Sequence, residues 1–350
     1  MTAKHTLNEL EVMLADLENQ SSFYQPTAFW EKASQKLVVE LKEAGFESFR
    51  SGGAPRDFFV PTYGVPGNCL SENFASQVEA LVVKEFGSGS KAHQTIARSM
   101  TGEAWAHADY RVFLAADTPT SPPLLSNVSE SDVGYPSEHF NFDGKFYSRS
   151  FLNYLLGLTF LKKNVETQSI KRVLEIGGGF GTLGEILHQS GNFAYVDVDI
   201  PPTSAVANYY LSSTETHSVV PYSETRNLEA IDYPESGQSM VLCPWQLPKL
   251  KGKVDLAVNF ISFQEMEPEI VKNYLTEIDR LEATYVLLRN MREGKRTLAQ
   301  GAEYGVETPI LSDDYDRFLP NYDLVNTNVH PYGYKTVDGF HSELRLYRRK

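Results

Sequence analysis

Glu175, Gly177, Gly179 and Gly181 alternate along the run Glu175-Ile176-Gly177-Gly178-Gly179-Phe180-Gly181, a spacing suited to holding a small organic ligand. Apolar Val173, Leu174 and Ile176 lead into the glycines, and Leu183, Ile186 and Leu187 follow at helical spacing. A strand that stops at glycines and turns into a helix aims backbone N–H groups and a helix N-terminus at whatever binds there. Side chains at those positions would block close approach or demand a strained backbone. Two ligand chemistries compete. Gly179-Phe180-Gly181-Thr182-Leu183-Gly184 satisfies G-x-G-x-x-G, the spacing of dinucleotide turns. The acid two residues before the first glycine argues the other way. A carboxylate at the strand tip suits a cationic ammonium end, reached directly or through water, and repels a pyrophosphate.

The longer pattern, E-x-G-x-G-x-G, resembles the first motif of the class I S-adenosylmethionine-dependent methyltransferases. That resemblance implies an α/β fold with a Rossmann-like core, a seven-stranded, mostly parallel sheet ending in a C-terminal antiparallel hairpin. It also implies S-adenosyl-L-methionine as cofactor, held against Glu175, Gly177, Gly179 and Gly181. Downstream, Tyr195-Val196-Asp197-Val198-Asp199-Ile200-Pro201 reads as a second strand ending in acid. An acidic residue about 20 positions beyond such glycines is placed to accept both ribose hydroxyls. Asp199 fits best; Asp197, on the same strand face, assists or is simply solvated. The other role open to Asp199 is a helix cap for the segment from Thr203. In the methyltransferases the corner after the third strand borders the adenine ring. Here it reads Cys243-Pro244-Trp245-Gln246, so Trp245 is a candidate to stack on the purine, with Gln246 or a backbone group bonding its amine. Core packing is an equal alternative for the tryptophan. Tyr147 and Arg149 head the helix before the motif strand and are candidates to cover the methionine part and pair with its carboxylate. Lid packing and a helix-surface arginine are the alternatives.

The fourth strand runs into Asn259-Phe260-Ile261-Ser262-Phe263-Gln264-Glu265-Met266, where the resemblance places the methyl acceptor. The Asn/Asp-Pro-Pro-aromatic motif of enzymes that methylate DNA bases or amide nitrogens is absent. The stretch from Ser262 to Met266 is most similar to the bacterial sugar O-methyltransferase family of polysaccharide and natural-product gene clusters. With the aromatic helix from Phe146 and the Val198-Asp199-Ile200-Pro201 step, this likeness covers roughly the C-terminal 200 residues. It implies transfer to a hydroxyl of a sugar or sugar-like small molecule. The same core under a different cap would methylate nitrogen or carbon on a natural product, and a non-catalytic cofactor-binding scaffold is a third reading. A hydroxyl attacks poorly until its proton is removed, so a positioned base is expected. Glu265 is the first candidate and His139 the second. Against these stand a carboxylate that merely favours a helix start and a histidine satisfied in place. No close His/Asp/Glu spacing suggests metal ligands, and none is assigned.

Beyond the motif, strands are expected at 193–198, 240–243, 254–261 and 284–288, and helices at 203–211 and 270–281. Two more strands, 322–329 and 344–347, have no helix between them. This order argues for a parallel doubly wound sheet closed by a hairpin. Residues 146–350 are expected to form the cofactor-binding domain, entered by an apolar helix over 146–161. Residues 1–145 read as a mainly helical cap. Leu7, Leu10, Met13, Leu14 and Leu17 mark one helix; Phe29, Ala33, Leu37 and Leu41 a second, with Thr27 as its cap; Phe74, Val78, Leu81 and Phe86 a third behind Ser71. Residues 51–68 read as loop and 117–137 as a long loop or lid. Phe23, Tyr24, Phe29 and Trp30 suit a homodimer interface as well as a substrate pocket.

Composition sets the outer bounds. A chain of 350 residues, 41% hydrophobic and 22% charged, carries enough apolar material for a sizeable soluble core. The net charge of −13, without a dense basic run before the C-terminus, disfavours a nucleic-acid partner. No apolar run approaches a membrane span, and the N-terminus lacks a secretory pattern. With two distant cysteines, Cys69 and Cys243, a disulfide framework is not expected and a reducing cytoplasm is the default location. A small-molecule acceptor is the expected partner.

Overall fold

The structure, a computed structural model, describes residues 3–51, 58, 72–214, 218–298, 304–336 and 339–350. The N-terminal part holds helices α1 (Ala3–Leu17), α2 (Ala28–Ala44), α3 (Glu72–Phe86), α4 (Lys91–Met100) and α5 (Glu103–Ala116). Leu10, Met13 and Leu17 of α1 and Phe29, Ala33, Leu37 and Leu41 of α2 are buried at three- and four-residue spacing, the pattern of amphipathic helices. Thr27 does not cap α2 through its side chain; its hydroxyl donates to the carbonyl of Glu265, 2.8 Å away. The expected loop at 51–68, the cap Ser71 and Cys69 lie outside the described residues, except for Ser51 and Phe58. Residues 117–137 are not a free lid. Leu125, Val128 and Glu130 in this strap are buried.

Hairpin β1 (Phe140–Phe142) and β2 (Lys145–Tyr147) comes next, then helix α6 (Arg149–Asn164). Phe146 and Tyr147 therefore belong to a strand rather than to the expected helix. Asp143 and Gly144 at the tip have φ of 52° and 83°, which allows a tight two-residue turn. Ser148 caps α6 by accepting the Phe151 N–H at 3.1 Å. From Arg149 to Lys162 every residue of α6 is buried, which makes it an inner helix wedged between cap and sheet.

The remaining elements are β3 (Arg172–Ile176), α7 (Thr182–Ser190), β4 (Ala194–Val198), α8 (Thr203–Ser213), β5 (Ser218–Val220), α9 (Tyr222–Thr225), β6 (Gln238–Leu242), β7 (Leu256–Phe260), α10 (Pro268–Arg280), β8 (Tyr285–Met291), α11 (Ser312–Phe318), β9 (Tyr322–Asn328), β10 (Tyr334–Lys335) and β11 (His341–Arg349). They build a nine-stranded sheet in the order β10-β11-β8-β7-β3-β4-β6-β5, with β9 also on β11. The strands from β8 to β5 run parallel, and β11 is antiparallel to β8, β9 and β10. The fold is thus a Rossmann-like α/β sheet closed by an antiparallel hairpin, as expected. The two strands beyond the expected seven are the short edge pieces β5 and β10.

From β3 the chain winds outward through β4 to β6 and then crosses back to β7 on the other side. That reversal opens a crevice beyond the carboxyl ends of β3, β4 and β7. One hydrophobic cluster joins Leu10, Met13, Leu37 and Leu41 of the cap to Leu183, Val206 and Phe260 of the sheet layer. Among the described residues, no helix is long and apolar enough to cross a membrane.

Candidate functional site

A cleft of about 990 Å³, open mouth included, occupies that crevice. Its floor is the glycine turn from Gly177 to Phe180 with Thr182, its sides are Val198 to Ile200 and Phe260 to Ser262, and Ser150 and Tyr154 of α6 close one wall. Gln25, Thr27, Trp30 and Phe58 reach in from the cap, and Met266, Ile270 and Tyr274 make an apolar corner. Asp199 and Glu265 are its charged lining; among the described residues no lysine, arginine or histidine lines it.

The turn's backbone explains its glycines. Gly177 and Gly179 have φ of 71° and 65°, a region that side chains disfavour. A Cβ on Gly177 would also strike the Ser262 hydroxyl, whereas one on Gly179 would enter open cleft. The hydrogen bonds of the turn bear on the two ligand chemistries. The Gly178 N–H donates to Asp197 Oδ1 at 3.1 Å and the Gly179 N–H to Asp199 Oδ2 at 3.0 Å, while Gly177 donates to the Val198 carbonyl at 2.8 Å. Amides that would cradle a pyrophosphate are committed to carboxylates. The turn is an acidic edge.

Asp199 also accepts the Ile200 N–H at 2.7 Å through Oδ1, so both oxygens are fixed while free lone pairs face the cleft. Its seat inside the protein raises its pKa to about 7 despite those two N–H donors. Asp197 does not line the cleft. It lies fully buried behind Gly178, its Oδ2 without a hydrogen-bond partner among the described residues, and burial pushes its pKa well above the usual carboxylate range. It supports the turn rather than touching a ligand.

Glu175 overturns the expectation of a direct partner for an ammonium group. It is fully buried, paired in register with Asp197, and accepts the hydroxyls of Tyr154 at 2.8 Å and Tyr195 at 2.5 Å. Burial raises its pKa to about 7. Its partner Tyr154 does line the cleft.

No protein-family model and no curated protein matches the chain. Among solved structures it is similar to a SAM-dependent methyltransferase from Leishmania major, at 10% identity over 57% of this chain and 72% of that one, with a TM-score of 0.41. It is also similar to magnesium protoporphyrin IX methyltransferase from Synechocystis PCC 6803 with bound SAH, at 14% identity over 69% of this chain and 99% of that one, TM-score 0.40. A third likeness is to an S-adenosylmethionine-dependent methyltransferase from Clostridium acetobutylicum, at 13% identity over 55% of this chain and 90% of that one, TM-score 0.37. The strand order of this chain by itself defines its Rossmann-like fold.

Several expected residues lie elsewhere. Gln246 is buried, its Oε1 taking the Cys243 N–H at 2.9 Å and its Nε2 donating to Thr225 at 3.0 Å; Trp245 stands edge-on to Tyr222. Neither lines the cleft, because the corner after β6 folds onto α9. Tyr147 is buried among Tyr110, Phe142 and Phe151. Arg149 pairs with Glu138, Nε to Oε1 at 2.8 Å, and points away from the cleft; Ser150 and Tyr154 hold the wall instead. His139 bonds the Glu130 carbonyl at 3.1 Å and stacks on Phe146 at 4.6 Å, a satisfied histidine outside the site.

Glu265 is where it was expected. It ends a single turn, Phe263–Glu265, that follows β7 and is held by side-chain amides. Asn259 accepts the Phe263 N–H at 3.1 Å, Asn290 accepts the Gln264 N–H at 3.1 Å, and Gln264 accepts the Met291 N–H at 2.8 Å. Just before it Ile261 sits at φ 72°, strained for a β-branched residue, with its side chain on the cleft wall. Glu265 Oε1 meets Lys295 Nζ at 2.7 Å and Oε2 accepts the Trp30 indole N–H at 3.0 Å. Tyr154, Lys295 and Phe58 carried no signal in sequence. Trp30 did, as one of the aromatics suited to a pocket.

Proposed function

We propose that this chain is a methyltransferase that takes its methyl group from S-adenosyl-L-methionine. The observation that carries this reading is the pairing of the Gly178 and Gly179 amides with Asp197 and Asp199, which leaves an acidic turn beside a cleft that no basic residue lines among the described residues. Such a turn suits a donor with a positively charged sulfonium and a ribose, and disfavours a pyrophosphate. The residues present fit that group. Asp199 would accept ribose hydroxyls, Gly179 leaves the floor open, and Val198, Ile200, Ile270 and Tyr274 offer an apolar seat for a flat base.

The donor supplies an electrophilic methyl on sulfur; everything else falls to the protein. Holding donor and acceptor in line contributes on the order of 7–11 kcal/mol in well-oriented systems. The acceptor in this reading is a hydroxyl of a sugar or sugar-like small molecule. Its oxygen forms the new bond to the methyl carbon as the carbon–sulfur bond breaks, and its proton passes to the Glu265 carboxylate. Glu265 lines the cleft, in the Ser262 to Met266 stretch whose likeness points to the acceptor side. The overall charge of −13 supports a small-molecule acceptor over a nucleic acid.

Glu265→Gln tests the assignment of the base. The variant is expected to bind donor normally and to lose about 10²–10⁴-fold in turnover, the usual contribution of a general base. Full turnover with normal donor binding would remove Glu265 from that role.

A further inference from the structure

The cleft has two unlike kinds of lining, and the cap supplies the second. Trp30 and Phe58, which line the same cleft as the glycine turn, form a wall with ring centroids 5.6 Å apart, backed by Phe29 at 5.5 Å from Trp30 and Tyr304 at 5.4 Å from Phe58. The wall is fixed in orientation. The indole N–H is spent on Glu265 Oε2, and the Thr27 hydroxyl bonds the Glu265 carbonyl. Lys295 Nζ lies 3.7 Å from the Phe29 ring centroid and 2.7 Å from Glu265 Oε1, so one cation holds both the backing ring and the carboxylate. Ser262 and Glu265 supply hydroxyl and carboxylate beside the aromatic faces.

An aromatic face next to a polar edge selects a particular shape. A saturated ring with hydroxyls around its rim lays its C–H face on a π-surface and turns its hydroxyls to acceptors at the side. A nucleotide would bring phosphates to a lining that, among the described residues, has two acids and no base. We propose that the cap supplies the acceptor subsite, with Trp30 as the specificity-determining wall for a polyhydroxylated ring and Glu265, held by Trp30 and Lys295, reading its hydroxyl edge. This rests on the methyltransferase reading for which lining takes the donor. Lys295 is a positioning residue, since it acts through Glu265.

The chain's three tryptophans provide the test. Trp105 is exposed and Trp245 lies outside the cleft, so Trp105→Phe with Trp245→Phe leaves Trp30 as the reporter. This protein, saturated with S-adenosylhomocysteine, is titrated with methyl α-D-glucopyranoside, methyl α-D-mannopyranoside, methyl α-L-rhamnopyranoside and, as a ring without hydroxyls, tetrahydropyran. At least one glycoside is expected to change Trp30 emission saturably, and tetrahydropyran is not. In the otherwise natural chain, Trp30→Ala is expected to weaken that glycoside about tenfold, the upper range for an aromatic contact, while calorimetry shows S-adenosylhomocysteine still bound. Trp30→Phe, which keeps the wall and loses the N–H, recovers most of the affinity and reports that the fold is intact. A glycoside bound equally by Trp30→Ala, or no saturable emission change with any glycoside, overturns the proposal. Failure of S-adenosylhomocysteine to bind the natural protein overturns the methyltransferase reading instead, and the glycoside titration without it still reads the wall.

Discussion

Asp199 is anchored before any ligand arrives, with one oxygen on Gly179 and the other on Ile200. Asp199→Ala is therefore expected to weaken donor binding by about 10- to 100-fold, what hydrogen bonds to a charged group typically contribute. Binding measured by calorimetry at unchanged thermal stability checks this. The same carboxyl gives a pH dependence. Its pKa in the free protein is about 7, and a ribose hydroxyl needs the ionised form as acceptor. Below pH 7 a proton must leave first, so donor affinity rises as pH climbs towards 7, by at most about tenfold per unit, and levels off above. Asp199→Asn should flatten that profile. Asp199 was readable because a short acid-apolar-Pro step marks a strand end. Glu175 was readable as an acid at a strand tip, but not as the partner of Tyr154 and Tyr195. Those tyrosines are 21 and 20 residues away, and only the packing of α6 and β4 around β3 brings them together. Arg149 failed for the same reason: Glu138, eleven residues back across the hairpin, claims it.

The glycine turn separates two kinds of damage at the level of elements. Gly177→Ala meets both a positive φ and the Ser262 hydroxyl, so it is expected to lower stability by about 1–3 kcal/mol and to disturb the turn after β7 as well. Gly179→Ala meets only the backbone strain and projects a methyl into the cleft. It is expected to cost about 1–2 kcal/mol in stability and to weaken the donor more than it weakens the fold. Thermal melts beside donor titrations of the two variants distinguish these outcomes. Equal losses from both in melt and titration would place the turn away from the donor. The parallel strands were visible in sequence because each is a short apolar run bounded by turn residues, and their alternation with helices sets the topology. The hairpin β1–β2 was absorbed into the apolar helix pattern that follows it, although Asp143-Gly144 between Phe142 and Phe146 is a strong hairpin signal. Edge strand β5 has three residues, too few for a period to show.

At the scale of the molecule, cap and sheet are joined by buried charge as well as by apolar packing. Arg50 is almost fully buried, pairs with Glu130, and lies over the rings of Phe180 and Tyr210 at 5.0 and 5.7 Å. Glu130 also takes the Ser148 hydroxyl at 3.0 Å, so one cluster connects cap, strap, α6 and the glycine turn. Arg50→Ala strands Glu130 in the interior and is expected to cost about 3–5 kcal/mol. Because the cluster crosses the chain, unfolding followed by circular dichroism and by tryptophan emission should give one coincident transition. Burial raises Glu175 and Glu185 to about 7, so the folded protein holds more protons than the unfolded chain between roughly pH 4.5 and 7. Their contribution to stability is present at low pH and lost as pH rises through 7, and the melting temperature should fall from pH 6 to pH 8, less so in Glu185→Gln. The cap's helices were partly visible as apolar periodicity, but its docking was not, since residues such as Arg50, Thr27 and Trp30 find partners more than 75 positions away. What the acidic glycine turn holds separates a methyl donor from a dinucleotide. Calorimetric titration of the whole protein with S-adenosylmethionine and, separately, with NAD should show saturable binding of the first and none of the second. Binding of NAD without S-adenosylmethionine would contradict the methyltransferase reading.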